Sequence, residues 1–218
     1  ISSSSKKKKI SIFDANKTVL ISLIKRLGCE ISDLGVIKDN FEHTQKKLNK
    51  NLSSFDLIIT SGGFSKSRID HIGNFFSTSG KVNFWQLSLK PGRPFAFGKL
   101  NNTPFIGLPG NPVAAVVTFL MLVVNFLKKL CGIKKTEIIE RLIPANFEMK
   151  KKPGRTEWLR GSIKIINNNF FLEKFHTSGS GIISSISNTD GIIEINEDVK
   201  YIKKGTLLKF YRYEDILN

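Results

Sequence analysis

A chain of 218 residues with 40% hydrophobic residues can bury one large core or two small ones. Its net charge of +16 would favour the binding of nucleic acid or another polyanion. Because the basic residues are spread along the chain, we expect no nucleic-acid binding. Val113 to Leu130 is the longest apolar run, and we predict a buried core helix rather than a membrane span because polar residues interrupt it.

The first two thirds of the chain alternate helical and strand patterns. One helix is predicted after Asp14 and ends at Gly28, and another runs from Asn111 to Leu130. The remaining predicted elements are strands at 30–36, 55–60, 82–89, 95–99 and 104–108, a turn at 101–102, and helices after residue 39 and at 72–79. This alternation predicts a three-layer, doubly wound, mostly parallel α/β sheet over residues 1–134, with its first strand truncated.

The pattern changes after Gly132. Short β-rich runs separated by turn residues occupy 137–144, 156–166, 170–176, 191–195 and 206–213. No strong helical period is present, which predicts a small all-β, barrel-like domain over residues 137–218.

The two cysteines, Cys29 and Cys131, lie among apolar neighbours at predicted helix ends. A disulfide between them is one interpretation, but we favour two buried free thiols in a reducing cytoplasm. Residues 1–5 lack the apolar stretch of a secretion signal, so a cytoplasmic location is expected.

Two glycine-containing loops follow predicted strands. In 60–65, Ser61, Gly62, Gly63 and Ser65 would leave backbone N–H groups uncovered for an anion or a pterin, although Gly-Gly is also an ordinary turn. In 107–112, Pro109 and Gly110 precede Asn111, which can cap the next helix, so this loop can be read simply as a helix start.

A rigid basic loop lies between these motifs. Lys90 and Arg93 are held on a stretch stiffened by Pro91 and Pro94, which would present two fixed positive charges to an oxyanion. A basic hairpin exposed to water is the alternative. Asp70 could ligate magnesium, act as a base or cap a helix, and position alone does not choose among these roles.

The later region adds basic and hydroxyl groups. Arg155 and Arg160 belong to one strand entry, and the run 177–181 contains Ser180 between two glycines. Both segments could be ordinary turns. His176 is interpreted as structural, and His43 and His71 have no metal-ligand partners at useful spacing.

In this order the motifs resemble the molybdopterin molybdenumtransferase family, which includes the C-terminal domain of gephyrin. The matching strings are 13–16, 56–63, 82–85, 90–99, 107–113 and 154–157, and 180–185 continues the likeness. The resemblance implies an α/β domain followed by a β-barrel domain. It implies insertion of molybdate into adenylylated molybdopterin with release of AMP, Mg²⁺ as cofactor, a homodimer, and an adenylyltransferase of the same pathway as a partner.

The same resemblance implies residue roles. Catalytic roles fall on Asp70, Lys90 and Arg93, with Asp70 also holding the metal. The pterin nucleotide would contact Ser61, Gly62, Gly63, Ser65, Pro109, Gly110 and Asn111. Molybdate would lie among Arg93, Pro94, Arg155 and Ser180.

Three features depart from the family pattern. Lys66-Ser67-Arg68 replaces a segment that usually carries an acid, Arg93 replaces a usual lysine, and Ala114 replaces a common serine. These changes keep two alternatives open: an adenylyltransferase-like enzyme, and a non-catalytic scaffold that binds molybdopterin or nucleotide.

Overall fold

The computed structural model describes residues 15–35, 54–62, 80–176 and 183–218. The helices are α1 (Ala15–Arg26), α2 (Pro112–Thr118), α3 (Val124–Leu130), α4 (Ser184–Ser187) and α5 (Tyr213–Leu217). The strands are β1 (Ile58–Ser61), β2 (Gly80–Gln86), β3 (Leu89–Lys90), β4 (Pro94–Leu100), β5 (Thr103–Leu108), β6 (Arg141–Pro144), β7 (Met149–Lys150), β8 (Thr156–Ile166), β9 (Asn169–Lys174), β10 (Gly191–Ile195), β11 (Tyr201–Ile202) and β12 (Leu207–Arg212).

The first sheet has the strand order β1-β5-β4-β2. β1 pairs with β5 in parallel, whereas β4 is antiparallel to both of its neighbours, β5 and β2. The sheet is therefore mixed among the described strands, and the expectation of a mostly parallel sheet is wrong for them. The turn Asn101-Asn102 makes the antiparallel pairing of β4 and β5 possible, since both asparagines have positive φ angles, 45° and 75°.

The longest helical stretch is formed by α2, a π-helical turn at Phe119–Val123, and α3. We call Pro112–Leu130 the central helix. It is long and apolar enough to cross a membrane, with a mean hydropathy of 2.0, contrary to the expectation from its polar interruptions. However, 61% of that window is buried inside the protein, as the predicted core helix requires.

Two apolar clusters cover different faces of the central helix. One face packs with α1, β5 and the C-terminal Tyr211 and Ile216. On the other face Val113 and Val117 pack against Trp158 and Ile192 of the later strands. A fully buried side chain of this size contributes about 1.5–3 kcal/mol, so both contacts contribute substantially to stability.

The second sheet has the order β3-β8-β10-β12-β6, and β9 also pairs with β8. This gives the chain a separate β-rich C-terminal region, as predicted. The described strands do not form a barrel; one isolated bridge, Ala145 to Leu172, links the end of β6 to β9. β3 lies before residue 134 in sequence, yet it pairs in parallel with β8, so the earlier region contributes an edge strand to this sheet.

Two expectations from local patterns were wrong. Residues 30–35 form no strand, because Asp33 accepts a hydrogen bond from the Gly35 amide at 2.8 Å and Gly35 has a φ of 70°, which makes a tight turn. The later region also contains the short helices α4 and α5, although no helical period indicated them. The helices predicted after residue 39 and at 72–79 lie outside the described residues, and the domain boundary near residues 134–137 stays a prediction.

Candidate functional site

The two glycine-containing loops meet at one edge of the first sheet. β1 and β5 are parallel neighbours, with Ser61 opposite Leu108, and the Gly62 amide donates to the Leu108 carbonyl at 3.0 Å. Since parallel strands end at the same edge, the residues after β1 lie beside the start of the central helix. We call this cluster the glycine edge: Ser61, Gly62, Pro109, Gly110 and Asn111.

Asn16 on α1 connects both loops of the glycine edge. Its side-chain amide donates to Ser61 Oγ at 2.6 Å and to the Gly110 carbonyl at 3.0 Å. Ser61 Oγ lies 3.3 Å from the Pro109 carbonyl, to which it donates in turn. Asn16 is only 7% exposed, and its Oδ1 has no hydrogen-bond partner. This buried side chain therefore holds the two loops of the glycine edge together through hydrogen bonds. The sequence motifs did not assign it this role.

Close backbone approach explains the glycines of this edge. A Cβ placed on Gly110 would lie 3.3 Å from the Gly62 Cα, and Gly62 itself has a φ of 83°. A side chain at either position would separate the two loops or strain the backbone. Ser61 and Gly110 are both exposed, so the edge offers a hydroxyl and backbone groups to a ligand.

The central helix begins at the same edge. Asn111 Oδ1 accepts from the Ala114 amide at 3.4 Å, and Pro112 occupies the first turn. The predicted cap is confirmed. The partial positive charge at a helix N-terminus favours anions. The Gly62 amide, however, is paired with the Leu108 carbonyl, so the expectation of an uncovered backbone N–H is wrong at Gly62.

The loop of residues 90–94 contacts the same helix farther from its start. Gly92 is buried with a φ of 110°, and a Cβ there would lie 2.4 Å from Thr118 Oγ1. Thr118 lies six positions after Pro112, so the loop contacts the helix about 9 Å from its start. The Leu87 amide donates to the Arg93 carbonyl at 2.7 Å, which closes the loop and leaves Arg93 and Pro94 exposed.

Lys90 is held in an ion pair with Glu157. Its Nζ lies 3.2 Å and 3.3 Å from the two carboxylate oxygens, and β3–β8 pairing places the two residues side by side. The Lys90 side chain is 54% exposed, whereas that of Glu157 is 9% exposed. The sequence predicts two fixed positive charges on this loop, but the structure offsets one of them with a buried carboxylate.

Arg155 lies beside this loop, immediately before the neighbouring strand. It is exposed and directly precedes β8, whose Thr156 amide donates to the Ser88 carbonyl at 3.0 Å. The three exposed cations Lys90, Arg93 and Arg155 therefore belong to adjacent segments held together by backbone pairing. We call this surface the basic loop.

Arg160 stabilises another segment near the site. It is 5% exposed, and its Nε donates to Ser185 Oγ at 3.1 Å in α4. Desolvation by burial lowers the pKa of its guanidinium. The contact fixes the described chain that follows residues 177–182, and nothing in the sequence indicated it beyond an arginine in a strand.

Comparisons with known proteins show the family of this chain. Residues 1–129 match the family described as "Probable molybdopterin binding domain", and residues 143–213 match the "MoeA C-terminal region (domain IV)". The chain belongs to the MoeA-like molybdopterin molybdenumtransferase family.

Individual relatives support that membership. The chain is 34% identical over 208 residues to the molybdopterin molybdenumtransferase of Haemophilus influenzae, covering 94% of this chain and 52% of the relative. It is 27% identical to the Nostoc enzyme of the same name, covering 89% and 46%. The chain thus spans about half the length of these curated relatives.

The fold comparison points the same way. The crystal structure of the MoeA molybdopterin biosynthesis protein from Pyrococcus horikoshii matches with a TM-score of 0.76 at 24% identity, over 98% of this chain and 51% of that one. At this identity the match establishes the fold.

Several residues that the family resemblance assigns cannot be placed. Gly63, Ser65, Asp70 and Ser180 lie outside the described residues, as do Lys66, Ser67 and Arg68. Ala114 is described and buried in the first turn of the central helix. Within the described ranges no group of three His, Cys, Asp or Glu side chains could hold a metal ion, so the Mg²⁺ site stays a prediction on Asp70.

Proposed function

We propose that this chain carries the molybdate-inserting site of a molybdopterin molybdotransferase, which uses adenylylated molybdopterin and molybdate and releases AMP. The observation that supports it most directly is the placement of the glycine edge and the basic loop along one helix. Family membership supports the molybdopterin chemistry.

The two surfaces suit different parts of the reaction. Ser61 and the N-terminus of the central helix would bind the pterin nucleotide through hydroxyl and backbone N–H groups, and Gly62 would allow its close approach. Arg93 and Arg155, with Pro94 shaping the loop, would bind molybdate by charge. The reaction brings a pyrophosphate and an oxyanion together, and positioned cations lower the repulsion between them.

Lys90 has a more limited part in this proposal. Because Glu157 already offsets its charge, Lys90 would hold the loop in place and donate a hydrogen bond, leaving Arg93 as the main cation for molybdate. If Mg²⁺ is bound, Asp70 would hold it and the ion would neutralise the pyrophosphate.

Further properties belong to the same proposal. We expect a cytoplasmic homodimer that receives its substrate from an adenylyltransferase, since the family resemblance implies this assembly. Sedimentation equilibrium of the purified chain would measure its association state.

The test is molybdate-dependent release of AMP from adenylylated molybdopterin, with the full-length Haemophilus influenzae relative as the positive control. Arg93→Glu should reduce molybdate-dependent release by about 100-fold, the scale of removing one stabilising donor, and leave nucleotide binding unchanged. Lys134→Glu is the matched control, since Lys134 is equally exposed but lies beyond the central helix. Equal losses in both variants would reject the assigned role of Arg93.

The assay also separates the alternatives. Consumption of ATP with release of pyrophosphate would indicate adenylyltransferase chemistry. Binding of adenylylated molybdopterin without AMP release would favour a scaffold, a reading to which the missing hydroxyl at Ala114 lends support.

A further inference from the structure

The two cysteines of the chain meet at the far end of the central helix from the candidate site. Cys29 follows α1 and Cys131 follows α3, and they are 102 positions apart in sequence. Their sulfur atoms nevertheless lie 4.0 Å apart. The Cys131 amide donates to the Leu127 carbonyl at 2.9 Å, so its backbone is held by the last turn of α3.

The two thiols differ in accessibility. Cys131 is exposed and Cys29 is half-buried, which corrects the expectation that both are buried. Burial raises the pKa of the Cys29 thiol, and its hydrogen bond with Cys131 adds to the effect. An oxidant from solution therefore reaches Cys131 first.

The surroundings of the pair are basic. Arg26 and Lys128 line the same shallow pocket as the two cysteines. Positive charge at this pocket would attract an anionic small-molecule disulfide such as glutathione disulfide. Among the described residues no third Cys, His, Asp or Glu completes a group with these cysteines, so a metal centre is not indicated.

We propose that Cys29 and Cys131 form a dithiol site that a small-molecule disulfide oxidises to an intramolecular disulfide. The Cys131 thiolate attacks one sulfur of the small disulfide, forming a mixed disulfide and releasing the first small thiol. The Cys29 thiolate then attacks the Cys131 sulfur, and the second small thiol leaves. The protein loses two thiol hydrogens, and the small disulfide is reduced to two thiols.

The bond would join the C-terminal ends of two helices that support the glycine edge at their other ends. α1 contributes Asn16, and the central helix contributes Gly110 and Asn111 at its start. A cross-link over such a long stretch of chain restricts the unfolded state strongly. Oxidation should therefore raise the thermal midpoint and be reversed by dithiothreitol.

The experiment treats the reduced, purified chain with glutathione disulfide. Free thiols counted after denaturation should fall from two to none, the mass should fall by two hydrogens with no glutathione retained, and the thermal midpoint should rise. Cys29→Ser should stop at one glutathione adduct on Cys131, without the rise in midpoint. Comparing the reduced midpoints of the wild type and the variant checks that the serine variant folds.

Three outcomes would overturn the proposal. These are stable glutathione adducts on the wild-type chain, disulfide-linked dimers on a non-reducing gel, or thiols that remain free under conditions that oxidise a model dithiol. None of these readouts depends on turnover, so they are independent of the proposed transferase function.

Discussion

The glycine edge and the basic loop are built in opposite ways, although both rest on the central helix. The glycine edge is held by hydrogen bonds to a buried amide and by backbone atoms in close contact, with no charged side chain among its members. The basic loop consists of exposed cations, one of them paired with a carboxylate from the neighbouring sheet. Under the proposed function, one surface selects its ligand by shape and the other by charge, and the two should respond differently to mutation and to salt.

The largest effect should come from the point where the basic loop touches the helix. Gly92→Ala adds a Cβ at a φ of 110° and within 2.4 Å of Thr118 Oγ1, so it should destabilise the protein by about 3 kcal/mol or more. Urea unfolding would measure this change.

Gly205→Ala is the matched control for this variant. Gly205 also has a positive φ, 88°, but a Cβ there meets nothing within 4 Å. Gly205→Ala should lower the free energy of unfolding only by the backbone strain, about 1–2 kcal/mol. If both variants lose the same stability, the contact with Thr118 does not hold the loop.

A smaller effect is expected at the glycine edge. Asn16→Ala removes the side-chain amide that donates to Ser61 and Gly110. It should lower the free energy of unfolding by about 1–3 kcal/mol. The variant should also weaken nucleotide binding while leaving the salt dependence of molybdate use unchanged. Titration calorimetry with AMP measures the nucleotide binding, and molybdate-dependent AMP release at two salt concentrations measures the salt dependence.

A double-mutant cycle provides the control. Ser61→Ala and Asn16→Ala should together cost less than the sum of their single effects, since they share one hydrogen bond. Additive effects would mean that Asn16 acts on the edge independently of Ser61.

The smallest effect concerns the half-exposed ion pair. Lys90→Met leaves the Glu157 carboxylate buried without its lysine and should destabilise the chain by about 1 kcal/mol. Glu157→Gln keeps the shape, frees the charge of Lys90 and should lower the KM for molybdate. An unchanged KM would indicate that Lys90 contributes no charge to the basic loop.

Local patterns predicted much of this fold. The central helix with its asparagine cap, the strands β8 and β10 and the turn Asn101-Asn102 all follow from short-range signals. These features depend on periodicity, capping and positive φ, which neighbouring residues determine.

The relations between distant segments could not be predicted in this way. The sequence does not indicate that β3 joins the second sheet or that Lys90 meets Glu157. Asn16 was part of a matching string, but its hydrogen bonds to Ser61 and Gly110 span 45 and 94 positions. Long-range pairing follows from tertiary packing, for which a single sequence carries no local signal.

The central helix is buried on two faces by different parts of the chain, and this has a consequence for synthesis on the ribosome. The helix leaves the exit tunnel before Trp158 and Ile192, the residues that cover Val113 and Val117. Until those residues are made, an apolar surface of the nascent chain stays open to water. This interval is when the polypeptide would be most prone to aggregation and most dependent on a chaperone.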